Sequence, residues 1–152
     1  MSYIEQFFAQ GAVHSQSTLS PPASVLAGER MPCASISHTG ITVNANGQLV
    51  LSSGYTYILQ ASHYIEKTSG FGEMVSCWYD VTNGTYLGRE VKSWVHTSPS
   101  AYKRTPIARC LIQPSVQTTV EMRIVSVTAG IIVNTNSLAT YAGTPWYSVL
   151  SF

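Results

Sequence analysis

The sequence predicts an all-β fold, an antiparallel β-sandwich that follows an extended N-terminal arm. Two observations predict it. From about Cys33 the chain divides into eight or more strand-length runs separated by turn residues, the spacing of sandwiches and barrels. After residue 12 no run carries a helical period, which excludes the parallel α/β folds. The strongest run is Tyr55–Ile65. One face carries Tyr55, Tyr57, Leu59, Ala61, His63 and Ile65, and the other Thr56, Ile58, Gln60, Ser62 and Tyr64.

Residues 1–32 read as an arm and residues 33–152 as the sandwich domain. Within the arm, Ser2-Tyr3-Ile4-Glu5 fits a capping box, and Ile4, Phe7 and Phe8 fall on one helical face before Gly11. The spacing predicts a helix of roughly two turns, too short to be stable without something to pack on. Ser15–Gly28 is rich in Ser, Thr and Pro, with Pro21-Pro22 enforcing extended backbone.

The domain then runs as follows. Ser35–Val43 reads as a strand, Asn44–Gly47 as a turn and Gln48–Leu51 as a short strand. Ser52-Ser53-Gly54 turns the chain into one long strand, Tyr55–Glu66, and Thr68–Gly72 breaks the pattern with two glycines. Glu73–Val81 and Thr85–Lys92 flank Thr82-Asn83-Gly84 as a hairpin. That turn also explains Asn83-Gly84-Thr85 better than a glycosylation site does. A loop spans Pro99–Pro106. Ile107–Ile112 and Thr118–Val127 are strands on either side of Gln113-Pro114-Ser115, Ile131–Asn134 is a weaker strand, and Trp146–Phe152 closes the chain. In Thr118–Val127, Val120, Met122 and Ile124 share one face. Glu121 and Arg123 share the other, which is expected to be exposed or to face a partner.

Composition limits the function. Only 10% of residues are charged, while the chain holds nine tyrosines and three tryptophans. Aromatic-rich, charge-poor surfaces suit burial between subunits, and so many tyrosine hydroxyls exceed what one sandwich interior can satisfy. The net charge of +1 gives no drive toward nucleic acid. Charge is nevertheless uneven. Arg89, Lys92, Lys103, Arg104 and Arg109 against Glu90 make the stretch 89–109 net +4, so a basic loop around Lys103 and Arg104 is a candidate contact. No run approaches a membrane span, and no basic-then-apolar leader is visible at the N-terminus.

Catalytic signatures are missing. No serine sits in a G-x-S-x-G elbow, and His14, His38, His63 and His96 lack metal-ligand spacing. Asp80 is the lone aspartate and precedes a turn, where its geometry is explained without catalysis. Cys33, Cys77 and Cys110 form no C-x-x-C pair, and the last two lie in apolar strands as small core residues. The expectation is a protein that is not an enzyme and holds no cofactor or metal.

The stretch Ile41–Ser62, with its Leu51-Ser52-Ser53-Gly54-Tyr55 turn, resembles small jelly-roll proteins of tailed-phage virions. The likeness continues in Trp78-Tyr79-Asp80 before Asn83-Gly84, in Leu87-Gly88, in Glu121-Met122-Arg123-Ile124 and in Trp146–Phe152. It covers about residues 36–152 and is similar to the tumour-necrosis-factor/C1q type of jelly roll, which commonly forms trimers. What the resemblance implies is a head decoration, or cement, protein. Such a protein is made in the host cytoplasm and binds the capsid exterior as a homotrimer, stabilising contacts between major capsid subunits. Within that reading Tyr3, Ile4, Phe7 and Phe8 are candidate capsid-binding arm anchors, and Tyr57, Tyr64, Trp146 and Tyr147 are candidate trimer-interface residues. Neither nucleic acid nor membrane is an expected partner. The alternative is a trimeric receptor- or glycan-binding tip of a phage fibre or tail.

Overall fold

The computed structural model describes residues 7–12, 26–31, 40–67, 69–96, 103–104, 106–134 and 146–151. Among these the chain forms thirteen strands, which are β1 Phe7–Ala12, β2 Arg30–Met31, β3 Ile41–Val43, β4 Leu49–Leu51, β5 Tyr57–Ser62, β6 Tyr64–Lys67, β7 Phe71–Asp80, β8 Thr85–His96, β9 Lys103–Arg104, β10 Ala108–Ile112, β11 Thr118–Val127, β12 Ile131–Asn134 and β13 Trp146–Ser151. All their pairings are antiparallel.

The strands form two principal sheets. The first has the order β1-β13-β5-β10 and the second β3-β4-β11-β7-β8, with β2 also along β11. A third, small sheet has the order β12-β6-β9. Apart from the pairs β3–β4 and β7–β8, neighbours are not consecutive in sequence. The chain's first strand pairs with its last, and the chain crosses repeatedly from one principal sheet to the other. This is the wrapped Greek-key connectivity of a jelly roll.

The period-2 alternation read from the sequence decides which side chains fill the interior. Tyr57, Leu59 and Ala61 of β5, with Ala108 and Cys110 of β10, meet Leu49, Leu51, Met74, Trp78, Val120, Met122 and Ile124 from the second sheet. Two large polar side chains of this core are paired. The Trp78 indole N–H donates across the sandwich to the Ala108 carbonyl at 3.2 Å. The Tyr57 hydroxyl lies 3.1 Å from the Gly40 carbonyl and 3.0 Å from that of Ser52.

Turn chemistry sets the register at the β7–β8 hairpin. Asp80 accepts from the Asn83 backbone N–H at 2.9 Å and from its side-chain amide at 2.7 Å. Further along, Ser76 pairs with Val91 and Trp78 with Leu87, so Gly88, Arg89 and Glu90 all stand opposite Cys77. Only glycine fits at 88. Its φ is +74°, and a Cβ there would sit 2.6 Å from the Arg109 carbonyl oxygen. This is where the edges of the two principal sheets come closest to each other.

Four sequence expectations are revised. Phe7–Ala12 is strand β1, paired residue for residue with β13, whereas the sequence predicted that it would finish a helix begun at Ser2. A two-turn helix is marginal alone, and the open edge of β13 offers the same residues a full ladder. Residues 1–6 lie outside the described residues. Two pieces of the segment read as an arm, β1 and β2, thus belong to the sheets, and Met31 is in the core. The long strand Tyr55–Glu66 is divided at His63, where the chain leaves the first sheet for the third. Lastly, Glu121 is buried. It points away from the apolar core, yet Gln48 donates to it at 2.7 Å and the Arg123 Nε at 2.7 Å, and the two side chains cover it.

Candidate subunit-contact surface

The register of the first sheet aligns its residues in rows. Phe8 pairs with Leu150, Leu150 with Ile58 and Ile58 with Leu111, so one apolar row crosses all four strands. Two residues along, the row is polar, with Gln10, Ser148, Gln60 and Arg109. Beyond it Ala12 pairs with Trp146 and Trp146 with Ser62. On β10, which is the edge of the sheet, Leu111 is 69% exposed and Ile107 41% exposed. An aliphatic side chain left this open at the end of a continuous apolar row offers surface that another protein can cover.

The expected interface residues are distributed differently. Tyr57 is a core residue with no surface to offer a partner. Burial raises its hydroxyl pKa, with a further contribution from Tyr55. It lies on the inward face of β5, on the same register row as Ser151 and Ile112. Tyr147 pairs with Gly11 and Ala61, and Trp146 with Ala12 and Ser62. Tyr64 stands in β6, paired with Asn134 and with Arg104. Lys103 and Arg104 are therefore not in an open loop but form β9, and Lys103 pairs with Ile65. Of the arm anchors, Phe7 and Phe8 are strand residues of β1, whereas Tyr3 and Ile4 lie outside the described residues.

Sequence reasoning did not single out Ile58, Ile107 or Leu111. The alternation Ile107, Arg109, Leu111 was visible. That β10 is an edge strand, and that the register row of Leu111 continues through β5 and β13, follows only from the pairing.

The outward face of the second sheet is different. Glu73 Oε2 lies 2.8 Å from Lys92 Nζ and accepts from the Trp94 indole N–H at 3.0 Å. These bonds, that of Lys92 foremost, hold the Glu73 carboxyl below its ordinary pKa. Farther along the same face Tyr79 meets Tyr86 edge-on at 5.0 Å, and the Arg123 guanidinium lies 3.4 Å over the Tyr79 ring.

The titratable groups inside the fold are placed for structure. Burial lowers the His63 pKa to about 4, which keeps the imidazole neutral. Burial also pushes the Cys110 thiol up to about 12 and raises that of Cys77, so neither is a ready thiolate. Both are free thiols. Among the described residues no three His, Cys, Asp or Glu side chains are grouped to hold a metal, and no helix is long and apolar enough to cross a membrane.

No family model matches the chain, and no curated protein matches it significantly in sequence. Among solved structures its fold is similar to that of Eiger, a tumour necrosis factor from S. frugiperda. The TM-score is 0.58 and the identity 5%, over 86% of this chain and 84% of that one. The fold is a jelly roll of the tumour-necrosis-factor kind. At this identity the likeness concerns architecture alone.

Proposed function

We propose that the chain is a virion structural protein, a capsid decoration or cement protein that binds the outer shell as a homotrimer and stabilises contacts between major capsid subunits. It acts by adhesion, with no enzymatic step, cofactor or metal, and works on the capsid exterior after synthesis in the host cytoplasm. The observation that carries this reading is the apolar row Phe8–Leu150–Ile58–Leu111 across the first sheet, on a chain with few charges. Burying apolar area at about 25 cal/mol per Å² gives each subunit a modest gain. A trimer multiplies modest footprints on a repeating shell through effective concentration.

Leu111→Glu tests the oligomer. The exposed site tolerates the change within a folded subunit, but a buried unpaired carboxylate at a contact is costly. Sedimentation should show a trimer for the natural chain and a monomer with an unchanged far-UV spectrum for the variant. A natural chain that stays monomeric at every concentration rules out the oligomer.

The shell contact is tested by deleting residues 1–6, which leaves β1 intact. Trimer mass should persist while occupancy on purified capsids falls, and full occupancy would remove the arm from the contact. The deletion must stop before Phe7, because taking away β1 would strip the edge of β13 and confound binding with folding.

A further inference from the structure

The outward face of the second sheet carries chemistry that an adhesive contact does not need. Phe71 is 56% exposed and Trp94 is 46% exposed. In the β7–β8 ladder Phe71 pairs with His96 and Glu73 with Trp94, so the two aromatic residues are diagonal neighbours on one face, about 7 Å apart by strand geometry. The strand that bears Trp94 is the last in its sheet, and both rings are open to solvent on its outward face.

The tryptophan is fixed in place. Its indole N–H is donated to Glu73 Oε2, which Lys92 also binds, and the Lys92 ammonium lies 5.7 Å from the indole centroid. The backbone beneath Glu73 is fixed as well, since its N–H is donated to the Thr128 hydroxyl oxygen at 3.1 Å and its carbonyl accepts from the Thr128 N–H at 2.8 Å. An exposed aromatic side chain tied down before any ligand arrives loses little entropy on binding.

We propose that Trp94 and Phe71, with Glu73 and Lys92 beside them, form a platform that binds a saccharide. A pyranose presents an apolar C–H face and a rim of hydroxyls that both donate and accept. The aromatic pair matches the first property. The second is matched by the Glu73 carboxylate as acceptor, with the Lys92 ammonium and the Thr128 hydroxyl each in contact with Glu73. A second protein surface is a poorer match, because interface cores are depleted of charge and an ion pair stands in the middle of this patch. The inference does not depend on which assembly the chain joins.

The test begins with the unmutated protein on an array of neutral and acidic hexose, hexosamine and deoxyhexose oligosaccharides. Retained sugars are then titrated by calorimetry and in a ¹⁵N spectrum that resolves the indole N–H groups. The expected results are retention of at least one saccharide class and a shift of the Trp94 indole resonance on titration. Trp94→Ala should weaken binding roughly tenfold or more, as truncation of a stacking anchor does. Phe71→Ala should weaken it by a smaller factor, and Val116→Ser, at another exposed apolar site, should leave it unchanged. The Phe71 variant and the wild-type indole shift keep the test decisive if Trp94→Ala fails to fold. Retention of no saccharide, or saccharide binding with no shift at Trp94 and no loss in Phe71→Ala, overturns the proposal. So does a Trp94→Ala protein that keeps its sugar binding but loses its oligomeric state or shell occupancy. Failure of the decoration reading would instead show at Leu111 or in the deletion of residues 1–6, with saccharide binding intact.

Discussion

The two principal sheets are alike inside and unlike outside. Both send alternate apolar residues into one core, yet one register row of the first runs Phe8, Leu150, Ile58, Leu111, while the outward positions of the second hold Glu73, Lys92, Trp94, Tyr79 and Arg123 tied together by ion pairs and ring contacts. Strand periodicity is the same in each. The residues differ in what satisfies them. A polar side chain on the second face finds its partners within the subunit, whereas the open leucine on the first has none there. The first face is therefore built to be covered by another protein, while the polar groups of the second are already held in place by partners within the subunit.

The contrast requires that the sheets be clamped in one relative position, and Trp78 does this. It is fully buried in β7 and bonds to the Ala108 carbonyl of β10 across the core. Trp78→Ala removes the largest buried side chain and leaves that carbonyl without its donor. The expected loss is about 3–5 kcal/mol, the largest of any single change considered. Denaturant titration measures it. A loss below ~1 kcal/mol would mean that the sheets are held together elsewhere.

His63 gives the next largest effect, at the point where β5 of the first sheet gives way to β6 of the third. Its folded pKa, about 4, lies below the ordinary 6.5 because burial disfavours the charged ring. Between these values the unfolded chain binds a proton that the folded chain refuses, so stability falls as pH drops from 6.5 toward 4. The integrated loss is roughly 3 kcal/mol. Measured against pH, the denaturant midpoint of the natural chain should decline through this window, and that of His63→Gln should decline much less. Equal slopes would remove His63 from the account.

How far these differences were legible in the sequence depends on the distance over which each is decided. The hairpin at Asp80–Gly84 is local, and Asn83-Gly84 announced it. β11 and β12 were readable end to end, because alternation and flanking turns are local too. Glu121 was misread because alternation tells only which side a residue faces. Its cover comes from Gln48, which β4 brings alongside from far away in the chain. β1 was misread for a related reason. Ile4, Phe7 and Phe8 satisfy a helical face, but the edge of β13 that competes for Phe7–Ala12 lies at the other end of the polypeptide. The apolar row on the first sheet needed three strand pairings before it existed at all. The break at His63 and the bulge at Gly88 mark places where the chain changes sheets or where two sheets touch, and no local pattern encodes such a contact.

The smallest effect sharpens the comparison most directly. If the second face satisfies itself, removing one member should disturb its neighbours and leave the fold alone. In Lys92→Met the Glu73 carboxyl loses its principal partner and keeps the Trp94 N–H. Its pKa should rise toward the ordinary glutamate value, because the lysine bond is the largest of the contributions holding it down. The sign follows from linkage. A depressed folded pKa gives stability that is present above the unfolded value and lost as pH falls through the folded one, so the variant should lose less between neutral and acid pH than the natural chain. The pair is solvent-exposed and screened, so the melting temperature at neutral pH should barely move. A carboxyl-detected NMR titration of Glu73 reads the shift residue by residue. An unchanged Glu73 titration would show that Lys92 is not its partner in solution, and the second face would then be as unsatisfied as the first.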